Sequence, residues 1–150
     1  MEWNMDNVLA NIKENISEFH KVIMKNIEEY AYRAKRYDSK FSIMLFCKRE
    51  NIDIDFEKLE DKLRKTDKLI RLNDDLWCIV LDSTTDKTYT KATENIALLL
   101  QKLYYGKNLF IASQEFDSNY LGMLNELFYK LEYAVTNDVY DTVIEQDYII

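Results

Sequence analysis

Arg64 and Asp67 stand three residues apart, and four residues further on Arg71 leads into Asn73-Asp74-Asp75-Leu76-Trp77. A guanidinium fork grips a phosphate through two parallel hydrogen bonds, and a carboxylate beside it accepts N–H donors. Asp75, joined by a second carboxylate, would offer a hard divalent cation the oxygen ligands it requires. A plainer account stands beside each of these. An arginine at a helix end is favoured by the helix dipole, an aspartate three residues on closes a turn, and loop acids are commonly solvated. The acids Asp74, Asp75, Asp82, Asp86 and Asp117 fall under the same two explanations, cation attraction or solvated loops.

The elements that must hold these residues follow from hydrophobic spacing. Residues 5 to 37 contain neither Gly nor Pro and read as one long helix. Met5, Leu9, Ile12, Ile16, Phe19 and Ile23 recur at gaps of four and three, a heptad-like seam. The seam weakens at Asn26, Tyr30, Arg33 and Tyr37, where Ile27, Ala31 and Ala34 turn a different face to a core. Two arrangements fit: an amphipathic helix packed on its own domain, or a homodimer through residues 5 to 27. Residues 1–38 are therefore read as an N-terminal helix and candidate coiled-coil dimerisation segment, and residues 39–150 as the domain.

Phe41 to Cys47 is a nearly continuous apolar run, as a strand buried on both faces requires. A short helix over Phe56 to Arg64, N-capped by Asp55, comes next. Lys68–Leu72 and Leu76–Leu81 read as strands joined at Asn73-Asp74-Asp75, where Asn and Asp tolerate the positive φ of a tight turn. A helix over Lys87 to Leu103, a strand over Asn108 to Ser113, a helix over Tyr120 to Thr136 and an edge strand over Thr142 to Glu145 complete the pattern. The order β-α-β-β-α-β-α is an α/β (α+β) chain with a ferredoxin-like βαββαβ core and a long N-terminal helix.

Composition removes several function classes. A net charge of −7 opposes sequence-independent nucleic-acid binding, which rests on clustered Lys and Arg. The sequence shows no apolar run of membrane-spanning length and no signal-peptide pattern, so a cytoplasmic protein is expected. Cys47 and Cys78 both lie in apolar segments, as reduced buried thiols do. The single histidine, His20, sits within the helix, away from any nucleophile spacing, and no zinc cluster or glycine-rich phosphate loop is present.

The stretch from Arg64 to Trp77 resembles the signature region of GGDEF domains, the diguanylate cyclase family. That region runs Arg-x-x-Asp, an Arg-x pair four residues on, then Gly-Gly-Asp-Glu-Phe. The five signature positions here are Asn73, Asp74, Asp75, Leu76 and Trp77. The similarity extends from about residue 28 to about residue 137. It includes the basic stretch Tyr30-Ala-Tyr-Arg33-Ala-Lys-Arg36 ahead of the first strand and the amphipathic helix of Lys87 to Lys102. It implies a GGDEF, nucleotide-cyclase-like palm whose hairpin turn faces the catalytic site.

The departures bear on chemistry. The resemblance implies a carboxylate at the end of the first strand and one in the signature loop, together holding two Mg²⁺ that activate a 3′-hydroxyl. The first position aligns with Cys47, a poor ligand for a hard cation. Asp75 keeps one acid and is the weak metal candidate, but Leu76 replaces the next, and Asn73 and Asp74 replace the glycines. The segment before Arg64 is short for the family's guanine-reading residues. A rival alignment reads Ile52-Asp53-Ile54-Asp55-Phe56 as the family's Asp-Ile-Asp-x-Phe, making Asp53 the partner of Asp75.

The expectation is a degenerate, catalytically inactive regulatory or interaction module of bacterial signalling, with a protein partner and a homodimer through the N-terminal helix. No cofactor is expected, and Mg²⁺ enters only with residual nucleotide binding. The alternatives are a cyclic di-GMP receptor through Arg64 and Asp67, as the resemblance implies for some degenerate members, and a residual nucleotidyl cyclase.

Overall fold

The structure, a computed structural model, describes residues 3–82, 89–103, 109–116 and 119–144. The N-terminal segment forms two helices rather than one, α1 (Met5–Glu14) and α2 (Ile16–Tyr37). Then come β1 (Phe41–Lys48), α3 (Phe56–Lys62), β2 (Lys68–Arg71), β3 (Leu76–Asp82) and α4 (Tyr89–Leu103). They are followed by β4 (Leu109–Glu115), α5 (Tyr120–Thr136) and the two-residue β5 (Val143–Ile144). The ends of the expected α4, β4 and β5 at Lys87, Asn108 and Glu145 lie outside the described residues, as do Asp86 and Asp117.

The sheet order is β2-β3-β1-β4-β5, with β1 antiparallel to both β3 and β4, and β5 added parallel to β4. Its first four strands have the ferredoxin-like arrangement, so the chain is a mixed α+β palm with a long N-terminal helix. Two apolar layers cover the sheet. Alternate side chains of β1 separate them, as a period of two demands. Ile43, Leu45 and Cys47 meet α1, α2 and α5, while Met44 and Phe46 meet α3 and α4. Burial on both faces is why β1 reads as an unbroken apolar run.

α2 packs on the sheet through Phe19, Ile23, Ile27 and Ala31. Seam residues Ile12, Phe19 and Ile23 are therefore buried within their own chain. His20 lies half-buried against Phe128, its ring 5.2 Å away, and burial lowers its pKa. With two glycines in the whole chain, aspartate takes the left-handed backbone positions at Asp38, Asp138 and Asp141. At Asp138 the carboxylate is gripped by Arg49 at 2.7 and 2.9 Å.

Candidate functional site

The signature turn is held by a side chain, not by positive φ. Asn73 Oδ1 accepts from Asp75 N at 2.8 Å and Leu76 N at 2.7 Å, while Leu72 N and Asn73 N both donate to Leu76 O. None of Asn73, Asp74 and Asp75 takes positive φ, which corrects the expectation that Asn and Asp serve here as left-handed turn residues. The side-chain cap satisfies the turn's amides, so the backbone needs no glycine. Asp74 is exposed and ion-paired with Arg71, whose guanidinium lies over the Phe56 ring at 5.0 Å.

Leu76 and Trp77 belong to the core. Trp77 is completely buried, stacked on Phe46 with centroids 5.6 Å apart and met edge-on by Phe56 at 6.2 Å. It anchors the hairpin on the α3–α4 side.

At the end of β1, Cys47 lies opposite Leu76 and points into the α2–α5 layer, wholly buried. Burial, with Asp75 adding to it, pushes its thiol pKa well up, and burial does the same to Cys78, so both sulfurs stay protonated and unreactive. The next residue, Lys48, reaches the signature acid. Its ammonium is 3.9 Å from Asp75 Oδ1, its own backbone N–H donates to Asp75 O at 3.0 Å, and its side chain is 9% exposed. The same Asp75 Oδ1 accepts the indole N–H of Trp3 at 2.9 Å. Asp53, the rival ligand, is exposed and shares with Asp75 an open cleft of about 550 Å³, whose walls also include Trp3, Lys48, Phe56 and Arg71.

This donor set does not fit a Mg²⁺ pair. Mg²⁺ demands near-octahedral oxygen coordination, whereas Asp75 already carries an ammonium and an indole donor on one oxygen. Among the described residues, no three His, Cys, Asp or Glu side chains gather as a metal cluster.

Arg64 and Asp67 form a closed unit. Asp67 Oδ2 accepts from Arg64 N at 3.2 Å and Nε at 3.1 Å, and Oδ1 accepts from Arg64 Nη2 at 2.9 Å and from Asp82 N at 3.1 Å. Arg64 Nη2 also donates to Asp82 O at 2.8 Å. The Asp67 side chain is 2% exposed, that of Arg64 57%. The hydrogen bond to Asp67 holds the guanidinium pKa above its ordinary value. From α2, Arg33 pairs with Asp82 at 3.7 Å and Tyr30 Oη donates to Thr66 O at 2.9 Å. The motif therefore ties the loop before β2 to the end of β3 and to α2.

Sequence reasoning missed Lys48 and Trp3. The period-two alternation of β1 would have placed residue 48 on the face opposite Cys47, beside Asp75. Nothing local signals Trp3, whose partner lies 72 residues away.

The sequence matches no family model and no curated protein. Comparison of structures, however, finds GGDEF domains. The GGDEF domain of YfiN from Pseudomonas aeruginosa is similar with a TM-score of 0.64 at 12% identity, over 87% of this chain and 94% of that one. A microbial GGDEF domain solved with cyclic di-GMP gives 0.59 at 12% identity, over 85% and 92%. The diguanylate cyclase SiaD of P. aeruginosa, solved with its activator SiaC, gives 0.58 at 13% identity, over 85% of this chain and 58% of that one. The chain has the GGDEF-domain fold. Among the described residues no helix is long and apolar enough to cross a membrane.

Proposed function

We propose that this chain is a cytoplasmic signalling module of GGDEF fold that works by binding and does not carry out cyclase chemistry. The observation that carries this reading is the Lys48 ammonium beside Asp75, a resident cation where the fold's signature turn would present a carboxylate to metal. A positive charge fixed there repels Mg²⁺ at contact range, and its neighbour Cys47 offers a buried neutral thiol in place of a carboxylate. Complexes such as that of SiaD with an activator protein support the binding of a protein partner. Pairing into a homodimer uses the strip of α2 left exposed, with Val22, Lys25, Glu29 and Tyr32 at gaps of three and four. Incubated with GTP and Mg²⁺, the purified protein is expected to leave the nucleotide unchanged by chromatography. Accumulation of cyclic di-GMP would overturn the reading.

A second reading, cyclic di-GMP reception at Arg64, is favoured by the exposed guanidinium that Asp67 holds in a fixed orientation. Both oxygens of Asp67 already accept two donors each, so in this reading Asp67 orients Arg64 and the guanidinium meets guanine or phosphate. Saturable calorimetric binding of cyclic di-GMP that disappears in Arg64→Ala would establish it. Equal titrations of the two proteins would remove it.

A further inference from the structure

We infer that α1 is a detachable strap across the signature turn, pinned by Trp3 and Asn11 and hinged at Asn15, so that α1 docking competes with any group that takes the indole's place on Asp75. The inference gives a regulation to the cleft described above and rests on that reading for the place of the site alone.

The hinge is visible in the backbone. The seam Met5, Leu9, Ile12, Ile16 and Phe19 runs without interruption through Asn15, yet the helix breaks there, at φ −110° and ψ 14°. Asn15 closes α1 by donating its amide side chain to Asn11 O at 2.8 Å and its backbone N–H to the same oxygen at 3.1 Å. It gives α2 no side-chain cap. The break redirects α1 so that its two ends reach the hairpin. Trp3, one residue before the Asn4 N-cap, donates to Asp75, and Asn11 Oδ1 accepts from Asn73 Nδ2 at 3.0 Å. Lys13 adds an exposed ion pair with Glu132 of α5 at 3.2 Å.

α1 rests on few core residues. It buries Val8 and Ile12, and along its side facing α5 runs an open groove of about 180 Å³ whose walls include Leu9, Ile16, Lys13, Phe128 and Glu132. α2 buries four core residues over its 22, twice as many anchors in all. A ten-residue helix is marginal in isolation, so α1 depends on its two apolar anchors and on the polar contacts near its ends to stay docked. Released, α1 can continue into α2 as one helix and complete the interrupted seam.

The consequence is linkage. Trp3 forms one wall of the cleft and donates to Asp75 Oδ1, so a ligand or partner group that replaces the indole on that oxygen competes with α1 docking. By reciprocity, whatever draws α1 away removes that wall and frees the oxygen for the competitor.

Hydrogen exchange of the full chain without ligand tests this directly. The amides of residues 5–14 are expected to exchange as a unit, faster than the central amides of α2. Trp3→Ala removes a charge-assisted hydrogen bond and is expected to speed α1 exchange about tenfold or more, with α2, β1 and β3 unchanged. Asn11→Ala, which leaves the Asn73 cap of the turn intact, is expected to speed α1 exchange in the same direction. Equal protection of α1 and α2 in the wild type would overturn the strap, as would Trp3→Ala accelerating both helices or neither. Detection of GTP turnover would end the binding-only reading and leave the exchange result standing, so the two failures are distinguishable.

Discussion

Trp77→Ala is expected to destabilise the domain by about 3–5 kcal/mol, the largest single effect in the hairpin. The ring is wholly buried between β1, α3 and α4, stacked on Phe46 and abutted by Phe56. Truncation both removes this apolar area from the core and leaves a cavity that the flanking strands cannot close. Trp77→Phe is expected to cost far less. The buried indole Nε1 has no hydrogen-bond partner among the described residues, and phenylalanine removes that donor while keeping an aromatic face for Phe46. Urea melts of the three proteins check this. A Phe variant as unstable as the Ala variant would show that the ring fills a shape, not merely a volume.

Asp67→Ala is expected to cost about 2–3 kcal/mol, more than its position in a surface turn would imply. Its carboxylate is almost completely buried and accepts four N–H donors, one of them the backbone N–H of Asp82 at the end of β3. Removing it leaves that amide unsatisfied and frees the loop before β2. Arg64→Ala is expected to cost about 1 kcal/mol, because the side chain lost is mostly exposed and Asp67 keeps the backbone N–H donors of residue 64 and Asp82. The asymmetry, read from denaturant midpoints, separates a structural staple from a surface ion pair. Equal small losses for both variants would place Asp67 among ordinary surface acids.

Much of the fold is legible in the sequence because local and global signals agree. α5 was readable to its ends from Leu121, Leu124, Leu127, Phe128 and Leu131 at helical spacing, although Leu121 proves exposed while the other four are buried; the structure adds Asn119 capping Gly122 N. Strands β1 and β3 were equally plain, since Phe41 to Cys47 and Leu76 to Leu81 are nearly continuous apolar runs, as strands buried on both faces require. Two features escaped. The break at Asn15 interrupts a seam that continues through it, and the contacts that accompany it, Trp3 with Asp75 and Asn11 with Asn73, join residues more than sixty apart. The site itself was half legible. Asn73 to Trp77 marks the hairpin, but aligning the end of β1 on Cys47 chose the residue that faces α2 and α5. The side chain beside Asp75 is that of Lys48. Arg64 and Asp67 were found as a pair by spacing, and their closure on Asp82 depends on a strand end that spacing does not reveal.

In the proposed reading Lys48 stands beside Asp75 in the place of a metal. Titration of Mn²⁺ into the wild-type protein with saturating GTP, followed by water-proton relaxation, tests it most directly. No enhancement beyond that of the Mn²⁺–GTP complex alone is expected. A saturable, protein-dependent enhancement that is lost in Asp75→Ala would contradict it and return the signature turn to metal chemistry.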